Sequence, residues 1–257
     1  MAVTAPVSPH PPDVTEDALL GGRVRLLQPA GGYRAAVDPV LLAAAVPAAA
    51  GEHVLDLGCG TGAAALCLAA RVPGCRVTGL ELLPDVAALA ERSAGLSGLA
   101  DRVRVLAGDL RAPPAALAEI RFDRVMMNPP YHPAGGHTPS ADTHKATAHG
   151  ESAGQAGLAD WVRAALRLMA ARGTLTLIHR ADRLGEVLGL LEGRFGGIVV
   201  LPLWPRAGEP AKRVIVQARR NARAPLTLAA GLALHTTDGR FTDAAEAVLR
   251  QGRPLAL

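Results

Sequence analysis

A glycine-rich turn between an apolar run and an alanine-rich stretch is the feature that most constrains the fold of this chain. It extends from Val54 to Gly62 with the sequence VLDLGCGTG. Gly58 and Gly60 let the backbone turn tightly and approach a ligand without Cβ clashes, and the helix that follows presents unpaired amides. The turn predicts a strand, a tight corner and a helix that together bind a ligand, although such a turn alone is a weak signal.

The remainder of the chain repeats this alternation of strand and helix. Short runs rich in Val and Leu alternate with alanine-rich stretches, as expected for parallel strands covered by helices on both faces. The predicted strands are 53–57, 76–80, 103–107, 122–127 and 174–179, and the predicted helices are 63–70, 84–93 and 158–170. Two further strands, 198–203 and 213–218, have no helix between them and are expected to pair antiparallel. The predicted fold class is α/β, a Rossmann-like doubly wound sheet, mostly parallel, with a terminal antiparallel hairpin.

Length and composition suit one folded domain. A chain of 257 residues that is 49% hydrophobic can bury a single α/β core, which we place at residues 15–257. The proline-rich segment 1–14 lacks an apolar run after a basic start, so it predicts a disordered tail and no secretory signal. Within the domain, residues 15–50 are expected to form an N-terminal cap that is helical, and residues 132–157 a mobile loop.

Cysteines and apolar stretches exclude several classes of protein. Cys59, Cys67 and Cys75 are odd in number and contain no CxxC pair, which argues against a disulfide framework and a structural zinc site. The longest nearly apolar stretch, 40–50, is too short to cross a bilayer, which takes about 20 residues. We therefore expect a cytoplasmic protein without membrane association.

Acidic residues stand at the ends of the first three predicted strands. Glu81 follows the second strand, 19 residues after Gly62, where a carboxylate accepts hydrogen bonds from both ribose hydroxyls. Asp109 follows the third strand, in a position to hold the exocyclic amine of an adenine. An acidic cleft disfavours the pyrophosphate of a dinucleotide and suits S-adenosyl-L-methionine, which carries an ammonium and a sulfonium. The predicted ligands of this cofactor are Asp56, Gly58, Gly60, Glu81 and Asp109.

Two other residues are candidates for contact with the same cofactor. Asp38 precedes Pro39 at a predicted helix start, where capping of free backbone amides explains it fully. A place for Asp38 near the methionine end of the cofactor is the second interpretation. Asn128, which follows the fourth strand, is expected to border the cofactor as well.

The most specific motif is Asn128-Pro129-Pro130-Tyr131. An aryl amine is a poor nucleophile because its lone pair is delocalised into the ring, so its nitrogen must be held in line with the methyl group. The side-chain oxygen of Asn128 and the main-chain carbonyl of Pro129 would each accept one amino hydrogen, on a backbone fixed by the prolines. Tyr131 offers a face for base stacking, which is worth about 1–3 kcal/mol. We assign the catalytic role to these four residues.

With these motifs the chain resembles the amino-methylating branch of the Rossmann-like methyltransferases. Over about residues 15–250 it is similar to the tRNA (adenine-N6)-methyltransferase family that modifies valine tRNA beside its anticodon. The similar positions are Asp17, Leu20, Gly22-Arg23-Val24, Gln28-Pro29, Gly32-Tyr33-Arg34, Asp38 to Leu42, Pro210, Arg213-Val214, Pro225-Leu226 and Gly239-Arg240-Phe241-Thr242. The resemblance implies methylation of adenine N6 in an RNA, with the cofactor and catalytic residues named above. The identity of the RNA rests on the resemblance alone.

A basic segment and a histidine-containing loop are candidate RNA contacts. Residues 206–223 hold six basic side chains and one acid, which suits phosphate binding. A charged edge strand that resists aggregation is the alternative. We expect RNA contacts from Arg206, Lys212, Arg213 and Arg219. The histidines at positions 132, 137, 144 and 149 have spacings that suit no common metal site, so a lid or an RNA contact is preferred and no metal is expected.

Several other functions stay open on the sequence. The same tetrapeptide serves methylation of guanine N2 in ribosomal RNA, of adenine N6 in DNA, or of a release-factor glutamine. An NAD-dependent dehydrogenase would use a ribose-binding acid but not Asn-Pro-Pro-Tyr, and a non-catalytic RNA-binding protein would keep only the fold. Nucleoside mass spectrometry and equilibrium binding of the two cofactors separate these options.

Overall fold

The computed structural model describes residues 13–31, 37–131 and 156–257. Residues 1–12 of the predicted tail, the Gly32-Tyr33-Arg34 segment and residues 132–155 of the predicted loop lie outside the described residues. Among the residues that are described, no helix has the length and apolar character needed to span a membrane.

The elements alternate between strand and helix through most of the chain. The strands are β1 (Val14–Leu19), β2 (Val24–Pro29), β3 (His53–Leu57), β4 (Arg76–Glu81), β5 (Val103–Ala107), β6 (Phe122–Met127), β7 (Met169–Arg180), β8 (Phe195–Arg206), β9 (Arg213–Arg220), β10 (Thr227–Leu228) and β11 (Leu232–His235). The helices are α1 (Val37–Ala45), α2 (Ala63–Arg71), α3 (Pro84–Leu96), α4 (Ala115–Ala118), α5 (Leu158–Leu168), α6 (Leu184–Leu191) and α7 (Asp243–Leu249).

One large sheet organises the strands from β3 to β11, and β1 and β2 pair in a separate small sheet. The strand order of the large sheet is β10-β8-β9-β7-β6-β3-β4-β5, and β11 also pairs with β8. The five adjacent strands β7, β6, β3, β4 and β5 are parallel to one another. Strand β9 is antiparallel to both of its neighbours, β7 and β8. The predicted mostly parallel α/β fold with an antiparallel hairpin is confirmed. Because β9 lies between two strands, the interpretation of its charges as those of an edge strand is wrong.

The order of the strands reverses at β3. This strand pairs with β4 on one side and with β6 on the other, which creates the crevice where doubly wound sheets bind ligands. Leu57 at the end of β3 is the register partner of Met127 at the end of β6. Gly58 and Asn128 therefore leave the sheet at the same level, from strands about 4.8 Å apart.

Side chains of successive strand residues alternate between two cores. On β6, Met126 packs in the core that contains α1, α2 and α7, while Val125 and Met127 pack in the core that contains α5 and α6. Such alternation follows from the two-residue period of a strand. Helices on both faces bury these apolar side chains and leave the carboxyl ends of the strands open for a site.

The N-terminal segment differs from the prediction. Helix α1 forms where Asp38-Pro39 predicts a helix, but an antiparallel hairpin of β1 and β2 precedes it, and β1 already begins at Val14, inside the predicted tail. The leucines at 26 and 27 in β2 are both buried, so this strand lacks the simple alternation by which a half-exposed strand is recognised. A second difference is that β7 begins at Met169 and α5 ends at Leu168, which shortens the predicted helix 158–170.

Candidate active site

The glycine-rich corner after β3 is tied to the end of β4. The backbone amides of Gly58 and Cys59 donate to the carbonyl of Leu80 at 2.8 and 3.1 Å. Gly58 has φ of 62°, and a Cβ at this position would lie 2.2 Å from the indole of Trp161. Gly60 has φ of 55° and nothing within 4 Å of its Cβ position. The corner therefore needs glycine at 58 for space and at both positions for backbone conformation.

Glu81 joins the corner to the second strand. Its Oε2 accepts a hydrogen bond from the amide of Gly60 at 2.9 Å, and its Oε1 accepts one from the amide of Leu83 at 3.0 Å. Burial raises the pKa of Glu81 above its ordinary range, and these two amides oppose that shift. The carboxylate is thus fixed at the carboxyl end of β4, where the sequence predicts a ribose ligand.

Asp56 is buried beneath the corner, with only 2% of its surface exposed. Its Oδ2 has no hydrogen-bond partner among the described residues. Burial raises the pKa of Asp56 to about 8, and the charge of Glu81 adds to this shift. A buried carboxyl oxygen without a partner favours a ligand that brings a positive charge or a donor.

Asp109 lies where the sequence predicts it, after β5, but it is paired with a neighbour. The guanidinium of Arg111 donates from Nε and Nη2 to Oδ2 at 3.0 and 2.7 Å. Hydrogen bonding from Arg111 lowers the pKa of Asp109. Arg111 also lines the cavity and was not anticipated from the sequence, so a cation stands beside the acid at this part of the cavity.

A cavity of about 330 Å³ brings these groups together. Its lining includes Asp56, Gly58, Gly60, Glu81, Asp109, Asn128, Pro129, Pro130 and Tyr131. The volume falls in the range of small-molecule pockets, about 300–1,000 Å³. The unpartnered oxygen of Asp56, the carboxylate of Glu81 and the open side of Gly60 fit a cationic nucleoside such as S-adenosylmethionine. Trp161, whose indole packs against Gly58, is a lining residue that the sequence analysis missed.

Tyr131 closes the other side of the cavity and makes polar contacts of its own. Its hydroxyl lies 2.6 Å from Oδ2 of Asp38 and 3.0 Å from Oδ1 of Asn128. The Arg213 guanidinium lies over the ring, 4.6 Å from its centroid, and His179 contacts the ring edge to face at 5.4 Å. Burial lowers the pKa of His179 to about 4, so this imidazole is neutral near pH 7.

Asp38 and Arg213 meet at the ring and hydroxyl of Tyr131. The Asp38 carboxylate accepts a hydrogen bond from Nε of Arg213 at 3.1 Å, and it also contacts the hydroxyl of Tyr131. The next residue of α1, Pro39, lines the cavity. Asp38 is thus placed beside the Asn-Pro-Pro-Tyr motif, and its place near the methionine end of the cofactor stays a prediction. Arg213 is directed to the same point and pairs with Asp38, and its contact with RNA phosphate stays a prediction.

The basic segment 206–223 does not form one patch. Arg213 begins β9 opposite Arg180, at the carboxyl end of β7, whereas Arg219 pairs with Thr174 in the middle of that strand, level with Arg124 near the start of β6. Six residue steps along β9 separate them by about 20 Å, at about 3.4 Å per step. Arg206 and Lys212 adjoin the end that carries the cavity, and Arg219 lies at the opposite end of the sheet. A count of charges along the sequence cannot detect this division.

Comparison with known proteins places these features in a family. Residues 54–149 match a family model described as a methyltransferase domain. A predicted O-methyltransferase from Agrobacterium tumefaciens has a crystal structure with a TM-score of 0.70 and 32% identity, and the match covers 85% of this chain and 98% of that one. The chain belongs to the Rossmann-like S-adenosylmethionine-dependent methyltransferases.

Within that class, its curated relatives carry a more specific name. A tRNA1(Val) (adenine(37)-N6)-methyltransferase from Porphyromonas gingivalis is 36% identical over 160 residues, which cover 60% of this chain and 61% of that protein. A protein of the same name from Aeromonas hydrophila is 28% identical over 208 residues, covering 80% of this chain and 84% of the relative. The chain thus spans somewhat under two thirds of the first relative. The resemblance stated from the motifs is confirmed at the level of sequence similarity.

Proposed function

We propose that this protein transfers a methyl group from S-adenosylmethionine to the N6 amine of an adenine in RNA. The anticodon loop of a tRNA is the proposed location, and valine tRNA the proposed substrate, because curated relatives named for that activity match most of the chain. The single observation that carries the proposal is the lining of one cavity by both the glycine corner and the Asn128-Pro129-Pro130-Tyr131 motif.

The cofactor, when bound, supplies an electrophilic methyl group on a sulfonium. Glu81 and the glycine corner hold the nucleoside portion, and the acids of the cleft favour its positive charges. Oδ1 of Asn128 and the carbonyl of Pro129 accept the two amino hydrogens, which orients the nitrogen lone pair. Methyl transfer to the nitrogen held by Asn128 and Pro129 would leave the donor sulfur as a neutral thioether, and the excess amine proton would pass to solvent. No strong general base is required, because a methylated aryl ammonium is a strong acid.

The choice of a loop adenine follows from the cost of exposing a base. A base in a duplex must be unpaired and unstacked before it enters such a pocket, whereas a loop base costs less. Arg206 and Lys212, which adjoin the end of the sheet that carries the cavity, are proposed phosphate contacts, and their contribution should weaken as salt rises. A tRNA substrate also implies a cytoplasmic location.

Methylation of total RNA in vitro, followed by nucleoside mass spectrometry, tests the proposal. The expected product is N6-methyladenosine, located in a single tRNA species when the reaction is repeated on purified tRNAs. N2-methylguanosine as the product, or no incorporation into RNA, would contradict it. The same protein is assayed with duplex DNA and with release factors, since methylation of these substrates is the nearest rival activity.

Two remoter functions predict different binding data. A dehydrogenase would bind a nicotinamide dinucleotide more tightly than S-adenosylmethionine, although the acids of the cleft oppose a pyrophosphate. A non-catalytic RNA-binding protein would show RNA affinity without methyl transfer. Equilibrium dialysis with both cofactors, beside the methylation assay, separates the three.

A further inference from the structure

The hydroxyl of Tyr131 lies within hydrogen-bonding distance of two acceptors. Oδ2 of Asp38 is 2.6 Å away and Oδ1 of Asn128 is 3.0 Å away. A phenol carries one proton and can donate it to one acceptor at a time. The shorter contact is to a carboxylate, and hydrogen bonds to charged acceptors are about twice as strong as neutral ones. The proton of Tyr131 therefore belongs to Asp38.

This partition affects the reaction at Asn128. Oδ1 of Asn128 is the proposed acceptor for an amino hydrogen, and it stabilises positive charge that develops on the nitrogen. A second hydrogen bond from Tyr131 would use a lone pair of this oxygen and withdraw electron density from it. Donation to Asp38 leaves the oxygen available.

Arg213 holds the acid and the ring in this arrangement. Its Nε donates to Oδ2 of Asp38 at 3.1 Å, and its guanidinium carbon lies 4.6 Å from the centroid of Tyr131. The Asp38 side chain is only 14% exposed, so it has little water to replace a lost partner. One face of the ring is thus covered by a cation.

We propose that Asp38 is a positioning residue that accepts the Tyr131 proton and so keeps Oδ1 of Asn128 open to the substrate amine. Arg213 orients Asp38 and supports the ring. The inference rests on the proposed function for its substrate, an exocyclic amine of a base. It assigns Asp38 to the chemistry of the amine instead of to cofactor binding, and Arg213 to the ring instead of to phosphate.

A double-mutant cycle tests the proposal. Asp38→Ala should lower kcat roughly tenfold, the effect of one misplaced hydrogen bond, with little change in the Kd for S-adenosylmethionine. Tyr131→Phe keeps the ring and removes the competing proton. The double variant should therefore recover kcat to the value of Tyr131→Phe alone. A double variant as slow as Asp38→Ala, or a single variant whose main defect is cofactor binding, would overturn the assignment.

A matched control separates this role from helix capping. Asp85 lies beside Pro84 in the first turn of α3, as Asp38 lies beside Pro39 in the first turn of α1, and Asp85 is exposed. Asp85→Ala removes an acid from a helix start without touching Tyr131. It should leave kcat unchanged. A loss of kcat equal to that of Asp38→Ala would show that only helix stability is involved.

A readout without methyl transfer keeps the proposal independent of the RNA substrate. The chain has two tyrosines, at positions 33 and 131, so the protein labelled with 3-fluorotyrosine gives two fluorine resonances, assigned by the loss of one in Tyr131→Phe. Asp38→Asn and Arg213→Met should each shift the Tyr131 resonance, and Asp85→Ala should not. If the Tyr131 resonance shifts in these variants but the protein does not methylate RNA, the proposed function is rejected and the contact between Tyr131 and Asp38 is supported. An unshifted resonance in Asp38→Asn would overturn the inference.

Discussion

Leu57 on β3 and Met127 on β6 are register partners, and this pairing determines what the cavity can do. The glycine corner continues from Leu57 and the Asn-Pro-Pro-Tyr motif continues from Met127. Both therefore begin from adjacent, fully hydrogen-bonded strands in the middle of the sheet. A methyl donor and a methyl acceptor held by these two segments are positioned by rigid elements, which is the main requirement of an in-line transfer.

Asn128→Ala removes the proposed side-chain acceptor for the amine. Loss of one positioned group that acts in the transition state costs about 10²–10³-fold in kcat. The Kd for S-adenosylmethionine should change little, because the residues that we expect to hold the nucleoside are intact. Single-turnover methylation and isothermal titration calorimetry measure the two quantities.

Glu81→Ala should have the opposite profile. The variant loses the carboxylate that fixes Gly60 and Leu83 and that we expect to bind the ribose. Hydrogen bonds to a charged group contribute about 1.5–3 kcal/mol, so the Kd for S-adenosylmethionine should rise about ten- to a hundredfold. At saturating cofactor the rate should return toward that of the unmodified protein. If Asn128→Ala and Glu81→Ala weaken cofactor binding equally, the division of the cavity into two halves is incorrect.

Gly58→Ala tests the fit between the corner and Trp161. The substitution adds a Cβ 2.2 Å from the indole at φ of 62°, so the indole must move. Gly98 has a similar φ of 66° with nothing near its Cβ position, and Gly98→Ala therefore reports the backbone strain alone, about 1–2 kcal/mol. Gly58→Ala should lose more stability in urea unfolding and also weaken cofactor binding.

Tryptophan fluorescence locates the cause of that loss. The chain has two tryptophans, and Trp204→Phe leaves Trp161 as the remaining reporter. In that background Gly58→Ala should change the emission of Trp161, whereas Gly98→Ala should not. Equal stability and equal emission in the two variants would show that the contact with Trp161 is unimportant.

The strands that carry the motifs could be predicted from the sequence because their ends are marked chemically. β3, β5 and β6 have the predicted bounds, since each is a short apolar run between turn-forming or charged residues. The parallel order then implies that Gly58, Asp109 and Asn128 meet at one edge. The location of the cavity could therefore be predicted from the alternation of strands and helices and from the residues that directly follow the strands.

The contacts within the cavity could not be predicted because they join distant positions. Tyr131 meets Asp38 across 93 residues, and Asp38 meets Arg213 across 175. For Asp38, capping was a sufficient local explanation, so nothing in the sequence pointed to Tyr131. Arg213 and Arg219 are close in sequence, yet the extended strand β9 carries them to opposite ends of the sheet. Trp161 showed only as an apolar residue on a helix, and its role depends on how α5 packs over Gly58.

Asp56→Asn should change how stability depends on pH. Burial raises the pKa of Asp56 in the folded protein from an ordinary 3.8 to about 8. Between these values the folded state holds a proton that the unfolded state has released, so the stabilisation is present at low pH and is lost as pH rises through about 8. Relative to Asp56→Asn, the free energy of unfolding of the unmodified protein should fall by up to about 1.4 kcal/mol per pH unit over this range.

The same carboxyl group should couple cofactor binding to proton release. A positively charged ligand beside Asp56 favours its ionised form, so S-adenosylmethionine should bind with loss of a proton near pH 7 and bind more tightly as pH rises toward 8. Calorimetric titrations in two buffers with different ionisation enthalpies measure the released protons. Asp56→Asn, which has no proton to release, should give the same binding enthalpy in both buffers. Equal proton release by the two proteins would place the titrating group elsewhere in the cleft and would remove Asp56 from the set of cofactor-binding residues.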